Sequence, residues 1–366
     1  MKVVAFDADV LGRRRTGDET YALNLLRELG ALVHDAGIRL VAVTRRPDLV
    51  PDGVERLELS TGSQELRMAW TLPRLLRRVG ADLVHTQYAI PFRCPCPAVV
   101  TVHDVSFARG RDLMGRKDRW VFRVVVPRAV RKAVRVLTVS ERTKADLVEL
   151  FGVAPERIVV TPNGVDPAFA ARARGARDNA SNNLQLAPTS AAAAENASSD
   201  SLLQGSYVLA VGAIQARKNQ LAALDAADAV GLPLVVVGPE KDSGLAGELR
   251  HRGARLEGYV DTERLAELYR GAACLVQSSR YEGFGLPIIE AMASGTPVVA
   301  VPDPALREVA GDAAIFVEEG DLAEGVRRAL AERERLVAAG HERARGFTWR
   351  AAAERTLAVY REILGA

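Results

Sequence analysis

The sequence predicts an α/β protein built from two doubly wound parallel sheets, and three observations carry that expectation. Short apolar runs rich in valine and leucine alternate with longer helical patterns from residue 3 to residue 160. The same alternation starts again at Tyr207. Between the two lies a stretch, 171–205, whose composition changes abruptly. Strands of four to six apolar residues separated by helices imply βαβ units, and right-handed crossovers wind such units onto both faces of a parallel sheet. A length of 366 residues suits two domains of average size.

In the first unit, 1–170, strands are expected at 3–6, 40–43, 83–85, 98–102, 136–139 and 158–160, with helices at 19–32, 65–79, 119–133 and 141–151. The last of these helices has a serine N-cap, Ser140, and a first-turn carboxylate, Glu141. Residues 171–205 are rich in alanine, asparagine and serine and poor in large apolar groups. Such a segment cannot bury enough surface to offset its ordering entropy, so a flexible interdomain linker is expected there. In the second unit, 206–348, strands are expected at 207–211, 234–237, 255–256, 274–277, 298–301 and 315–317, with helices at 219–230, 261–270, 287–293 and 322–338. A last helix, 349–364, follows the completed second unit, and the segment 349–366 is expected to cross back and brace the first.

Composition narrows the function classes. Apolar residues make up 48% and charged residues 26%, which is enough for two cores. No run of 18 apolar residues is present, so no membrane-spanning helix is expected. The opening Met1-Lys2-Val3-Val4-Ala5-Phe6-Asp7 lacks a long apolar core and a small-residue cleavage site. It reads as a first strand rather than a leader, and a cytoplasmic protein is expected. Cys94, Cys96 and Cys274 give neither a disulfide framework nor a zinc spacing. Net charge is +3 but uneven: residues 1–170 carry 27 Lys+Arg against 20 Asp+Glu, and the rest carry 22 against 26. One dense basic stretch, 109–135, includes Arg111, Arg116, Lys117, Arg119, Arg123, Arg128, Arg131, Lys132 and Arg135. It is either a solvated helix face or a surface for an anionic lipid or phosphorylated partner. Aromatics do not interleave with these arginines as a single-strand binder needs, so nucleic acid is not an expected partner.

Two segments carry the chemistry. The first, Glu282-Gly283-Phe284-Gly285-Leu286-Pro287-Ile288-Ile289-Glu290, directly follows the strand 274–277. Ligands of open α/β sheets bind outside the carboxyl ends of strands. Pro287 suits the first turn of a helix, the glycines allow close backbone approach, and free N–H groups at a helix start attract anions. Glu282 and Glu290 could then bind different hydroxyls of one ligand, such as a sugar and a ribose. Alone, the glycines also fit an ordinary strand–helix turn. The second segment, Val211-Gly212-Ala213-Ile214-Gln215-Ala216-Arg217-Lys218-Asn219, opens the first helix of the second unit. Adjacent Arg and Lys suit a diphosphate, one as a bidentate fork and one as a point charge. Alone, such a pair is also an ordinary solvated turn.

Together these segments resemble the retaining GT-B glycosyltransferases grouped as family 4, along essentially the whole chain. The strongest part runs from Ser279-Arg280-Tyr281-Glu282 through Glu290 to Ser294-Gly295-Thr296-Pro297-Val298-Val299 and matches the family's E-x7-E motif. Arg217-Lys218-Asn219 matches the donor-phosphate element, and Val102-His103-Asp104 resembles the strand-end histidine motif. Asn163-Gly164-Val165-Asp166 resembles the turn before the interdomain linker. Gly17, in Arg13-Arg14-Arg15-Thr16-Gly17, sits where the family has a glycine-containing loop after the first strand. The resemblance implies two Rossmann-like domains facing a cleft. It implies a catalytic set of Glu282, His103, Lys218 and Arg217, with Glu282 on the transferred sugar and the two cations on the leaving diphosphate. Donor contacts would come from Gly17, Gly212, Arg217, Lys218, Gly283, Phe284, Gly285, Leu286 and Glu290, the last on the ribose. His103 and Asp104 would face the acceptor. No cofactor and no metal are implied, since fixed cations and a helix dipole can stabilise developing phosphate charge. In keeping with this, no Asp-x-Asp metal motif is read at a strand end. The three arginines before Gly17, the missing Gly-Gly pair and the long linker depart from the family pattern.

Competing expectations are a nucleotide-sugar epimerase of the same fold and a silent nucleotide-sugar binder. A dinucleotide oxidoreductase is excluded, because no Gly-x-Gly-x-x-Gly follows the first strand. The resemblance leans toward bacterial mannosyl- and glucosyltransferases of polysaccharide and lipid-linked pathways. GDP-mannose is preferred to UDP-glucose as donor, with a hydroxyl of a glycan or lipid-linked glycan as acceptor. The basic stretch suits peripheral contact with an anionic membrane at its inner face.

Overall fold

The computed structural model describes residues 1–13, 16–110, 116–170, 205 and 207–365. The expected linker, 171–205, therefore lies outside the described residues except for Gly205. Two all-parallel sheets are present. The first holds β1 (Lys2–Asp7), β2 (Ile38–Thr44), β3 (Glu55–Glu58), β4 (Leu83–Gln87), β5 (Ala98–Val102), β6 (Arg135–Thr138) and β7 (Ile158–Val160), in the order β3-β2-β1-β4-β5-β6-β7. The second holds β8 (Val208–Val211), β9 (Leu234–Val237), β10 (Arg255–Gly258), β11 (Cys274–Gln277), β12 (Val298–Ala300) and β13 (Ile315–Phe316), in the order β10-β9-β8-β11-β12-β13. Helices cover both faces, so each unit is doubly wound, as the sequence predicts. Central strands such as β9, Leu-Val-Val-Val, are buried along their whole length, the pattern of a sheet covered on both sides. Each order reverses beside its first strand, at β1/β4 and at β8/β11. The crevices that open at the carboxyl ends of those pairs are where such sheets bind ligands.

Some elements differ from the sequence expectation. Strand β3 is Glu-Arg-Leu-Glu, and its single apolar residue gives no strand signal. As the sheet edge it carries charge, which also blocks pairing with a further strand. The pattern at 65–79 predicts one helix, but the structure has Gln64–Leu66, a π turn at Arg67–Thr71 and Leu72–Val79. Pro73 offers no N–H to the carbonyl of Ala69, and the ladder widens just before it. Short helices at Ser243–His251 and Pro304–Ala310 are added, capped by the side chains of Asp242 and Asp303.

The last helix, Trp349–Leu364, packs into the first domain. Its Trp349, Ala353, Leu357 and Tyr360 share one buried cluster with Tyr21, Leu25 and Leu29 of the helix Thr16–Leu32. His85 anchors it. Its Nδ1 lies 2.5 Å from the Tyr360 hydroxyl and its Nε2 lies 2.7 Å from Thr101 Oγ1. Burial lowers the His85 pKa to about 3, so this histidine is a neutral core residue that ties β4 to the last helix. The chain crosses between domains twice, side by side: Val165 N donates to Phe347 O at 3.1 Å. A Cβ at Gly164 would overlap the backbone of Trp349. Among the described residues no helix is long and apolar enough to cross a membrane.

Candidate donor and transfer site

The second-domain switch point holds both sequence-singled segments. After β8 the chain passes Gly212, at φ +141, and makes a tight turn at Ala216–Lys218. Asn219 then adopts a left-handed conformation, φ 51 and ψ 45, before the helix Gln220–Ala229 begins. Arg217 and Lys218 thus lie in the turn before the helix. Ser278 fixes that turn from behind: its hydroxyl donates to the carbonyls of Lys218, at 3.0 Å, and Asn219, at 2.8 Å.

Glu282 meets both cations. Lys218 Nζ lies 2.5 Å from Glu282 Oε1, and Arg217 Nη1 lies 3.3 Å from Oε2. Gln277, at the end of β11, donates to the same Oε1 at 2.7 Å. Arg217 also donates to the Tyr281 carbonyl at 2.9 Å. Burial alone would raise the Glu282 pKa, but Lys218 and Arg217 outweigh it and hold the carboxyl at about 2. Burial pushes the Lys218 pKa down. The group is therefore a buried ionised triad with a surplus of one positive charge, open to an anion of the right shape. Asp104 and Tyr88 of the first domain also act electrostatically on Arg217, so the cation faces across the cleft.

Gly283 is where the domains touch. A Cβ there would overlap the His103 carbonyl oxygen. Its own carbonyl accepts from Ser140 Oγ at 2.6 Å. Gly285 takes φ +109 and caps the helix Leu286–Ala293, with Pro287 in the first turn. Leu286 packs against the cores of both domains. Phe284 is turned into the second-domain core, edge-on to Phe347 at 5.8 Å, and reads here as a packing residue. Glu290 is buried and accepts from the Tyr269 hydroxyl at 2.9 Å. Burial raises its pKa to about 7.

On the first domain, His103 follows β5. Its Nε2 lies 2.8 Å from Gln87 Oε1 at the end of β4, and burial lowers its pKa. Asp104 Oδ1 accepts from Ser106 N, at 3.0 Å, and Ser106 Oγ, at 2.8 Å, so it shapes the turn after His103. Gly17 is placed otherwise than its resemblance implies. It lies in the first turn of the helix Thr16–Leu32, is exposed, and a Cβ there would meet nothing within 4 Å. The neighbouring Asp18 acts electrostatically on His103, so the helix start lies near the cleft. Arg14 and Arg15 lie outside the described residues. Among the described residues only Tyr88 and Asn219 have positive φ without being glycine. One ring packs 5.5 Å from His103 and the other residue follows Lys218. Such strain collects at functional sites.

The comparisons with known proteins agree with this geometry. The pattern of Glycosyltransferase Family 4 matches residues 15–169, and that of Glycosyl transferases group 1 matches residues 194–345. The D-inositol 3-phosphate glycosyltransferase 1 of Catenulispora acidiphila is 30% identical over 88% of this chain and 85% of its own. This chain belongs to the family 4 type of glycosyltransferases. The O-antigen chain mannosyltransferase B of Escherichia coli is 28% identical over 88% of this chain and 83% of its own. The MMP α-(1→4)-mannosyltransferase of Mycolicibacterium hassiacum is 29% identical over 95% of both. Among solved structures, sucrose-phosphate synthase from Thermosynechococcus elongatus superposes with a TM-score of 0.75 at 21% identity, covering all of both chains. The Anabaena protein HepE, in complex with UDP-glucose, gives 0.70 at 15% identity over 99% of this chain and 100% of its own. The fold is GT-B.

Several residues of this glycosyltransferase escape sequence reasoning. Asp7-Ala8-Asp9 does have Asp-x-Asp spacing at the end of β1. Guanidinium groups occupy it: Arg67 pairs with Asp7, Arg13 pairs with Asp9, and Arg45 Nε lies 2.7 Å from Asp9 Oδ1. Gln87 and Gln277 end strands that are otherwise apolar or hydroxylated, and each orients a site residue. A buried glutamine at a strand's carboxyl end was the available signal. The cross-domain contacts gave no signal at all. Tyr281 OH donates to Asp146 Oδ2 at 2.6 Å, and Glu308 accepts from Glu141 N at 2.9 Å.

Proposed function

We propose that this glycosyltransferase moves a hexose, mannose from GDP-mannose, to a hydroxyl of a glycan or lipid-linked glycan with retention at the anomeric carbon. The observation that carries the reading is the buried Lys218–Arg217–Glu282 group in the β8/β11 crevice. A nucleoside diphosphate brings the anion this surplus charge attracts. It would replace Glu282 as counter-ion of the two cations and release that carboxylate toward the hydroxyls of the sugar. Backbone N–H groups at Gly285 and Leu286 would meet the same diphosphate at a helix start. Glu290 would accept from the ribose.

Chemically, the bond from C1 to the diphosphate oxygen breaks and a bond from C1 to the acceptor oxygen forms. The acceptor proton passes to the leaving phosphate oxygen on the same face. Fixed cations in a site that excludes water stabilise the charge that develops there, so the transfer proceeds without a metal. His103 is held neutral by burial. With Nε2–H donating to Gln87 Oε1, its Nδ1 remains an acceptor for a sugar hydroxyl. The mannose preference is supported by the names of two relatives above.

The test is product analysis. GDP-mannose and UDP-glucose are each incubated with the protein and a panel of oligosaccharides and lipid-linked glycans. Nucleotide release is measured, and the new linkage is read by proton NMR. GDP release with an α-linked mannosyl product is expected. Release from UDP-glucose alone would overturn the donor assignment, and an inverted linkage would overturn retention.

A further inference from the structure

Three elements of the first domain meet on one side: the helical segment 64–79, the turn at Phe92 and Arg93, and the helix Arg116–Lys132. Phe92 N donates to Met68 O at 3.0 Å, joining the first two. Arg128 joins the second and third. Its guanidinium lies over the Phe92 ring, 5.2 Å from the centroid, and donates to the carbonyls of Ile90, at 2.9 Å, and Phe92, at 3.1 Å. Arg128 is therefore a structural clamp rather than a free surface charge.

Large apolar side chains stand out in water on this side. Trp120 is 75% exposed, Phe92 65%, Trp70 56% and Leu66 56%, with Val121 and Val124 beside Trp120 also exposed. They account for six of the ten large hydrophobic residues exposed among the described residues. Leu66, Trp70 and Arg74 follow one another at four-residue spacing along one helical face, and the Arg74 guanidinium lies 5.4 Å from the Trp70 centroid. The charges around them are nearly all of one sign. Arg74, Arg77, Arg78, Arg93, Arg123, Arg131 and Lys132 are exposed, against the exposed carboxylate of Glu65. Residues 111–115, and the side chains of 116–119, lie outside the described set.

We propose that this face docks on an anionic lipid leaflet. Exposed aromatics grouped with one sign of charge mark a binding surface. Tryptophan and phenylalanine beside arginine and lysine form the pattern of a segment lying in the headgroup layer. A second copy of this chain would set seven cations against seven cations, so self-association is the poorer occupant. The acceptor-side residues His103 and Asp104 belong to the same domain. Docking would thus bring the acceptor half of the cleft to substrates held at the membrane, while leaving the second domain free to take donor from solution.

The experiment uses the full chain and vesicles of phosphatidylglycerol mixed with phosphatidylcholine, with pure phosphatidylcholine as control. Co-sedimentation gives the partition constant. Tryptophan emission gives the depth, because Trp70 and Trp120 are two of only three tryptophans and the third, Trp349, is buried. Binding to the anionic vesicles with a blue-shifted emission is expected, weakened by high salt as screening shortens to about 3 Å at 1 M. Each surface charge removed among Arg77, Arg78, Arg131 and Lys132 should lower partitioning about fivefold. The double variant Phe92→Ser/Trp120→Ser should bind at least tenfold more weakly with an unchanged melting midpoint. No binding to anionic vesicles, binding without a change in emission, or equal binding by the variants would overturn the proposal. So would a concentration-dependent dimer that Trp120→Ser abolishes in the absence of vesicle binding.

Discussion

Glu282 and Glu290 are both buried, eight residues apart, yet they titrate in opposite directions. Burial would raise both. At Glu282 the charges of Lys218 and Arg217 outweigh burial and hold the pKa at about 2. At Glu290 the partner is the Tyr269 hydroxyl, no cation compensates, and the pKa rises to about 7. The sign of the consequence follows from linkage. Glu290 binds its proton more tightly in the folded state than at the ordinary value of 4.5. Its favourable contribution is complete below that value and is lost as pH rises through 7. Glu290→Gln should therefore gain stability relative to the parent by about 3 kcal/mol between pH 4.5 and pH 8.5. Urea unfolding of both proteins across that range measures the difference, and a constant difference would contradict the assignment. The same contrast suits two tasks. Glu282 is ionised throughout and able to hold cations, whereas Glu290 is poised to lose its proton when ribose hydroxyls replace its buried surroundings.

At the level of elements, strand ends do the positioning. His103 follows β5 and is held by Gln87 from β4, while Glu282 follows β11 and is held by Gln277 from the same strand. The two loops meet at Gly283 because no side chain stands between its Cα and the His103 carbonyl. Gly283→Ala must push the domains apart there. A shift of about 1 Å at a reacting centre costs about 100-fold in rate, so transfer should fall at least that far. Nucleoside diphosphate affinity should change only a few-fold, because the triad lies within the second domain. Equal losses in transfer and affinity would show that Gly283 acts locally instead. Much of this architecture was legible in the sequence. The buried strands are continuous apolar runs, and the segments Arg217-Lys218 and Glu282 to Glu290 stand at strand ends where ligands bind. What was not legible has physical reasons. Edge strand β3 is charged because it is an edge. The π turn at Arg67–Thr71 depends on Pro73 and on burial of Arg67 against Asp7. Ser140, Asp146 and Glu308 look like ordinary cap and surface residues until the second domain is set against them. Gly17 matched a motif position without making the close approach that Gly283 makes.

Taken as a whole, the molecule is two sheets joined by two adjacent crossings, at 163–166 and 346–349, with the last helix built into the first domain. That arrangement permits the second domain to turn about a narrow neck while its hydrogen bonds to Ser140, Asp146 and the 141–142 backbone form and break. Closing around a donor would then be driven by charge, since the triad carries a surplus cation that the diphosphate neutralises. Ligand binding reports on the whole fold by mass action. A ligand at 100 times its dissociation constant adds about 2.7 kcal/mol of stability. The decisive measurement is the shift in melting temperature caused by GDP, with UDP beside it, in the parent, Lys218→Ala and Glu282→Gln. The account predicts a clear shift in the parent and its loss in Lys218→Ala. Glu282→Gln should be less stable without ligand by about 3–5 kcal/mol, because two buried cations lose their partner, and it should show the larger shift when a diphosphate restores it. Equal shifts in all three proteins, or none in the parent, would contradict the claim that these cations exist to hold a nucleoside diphosphate.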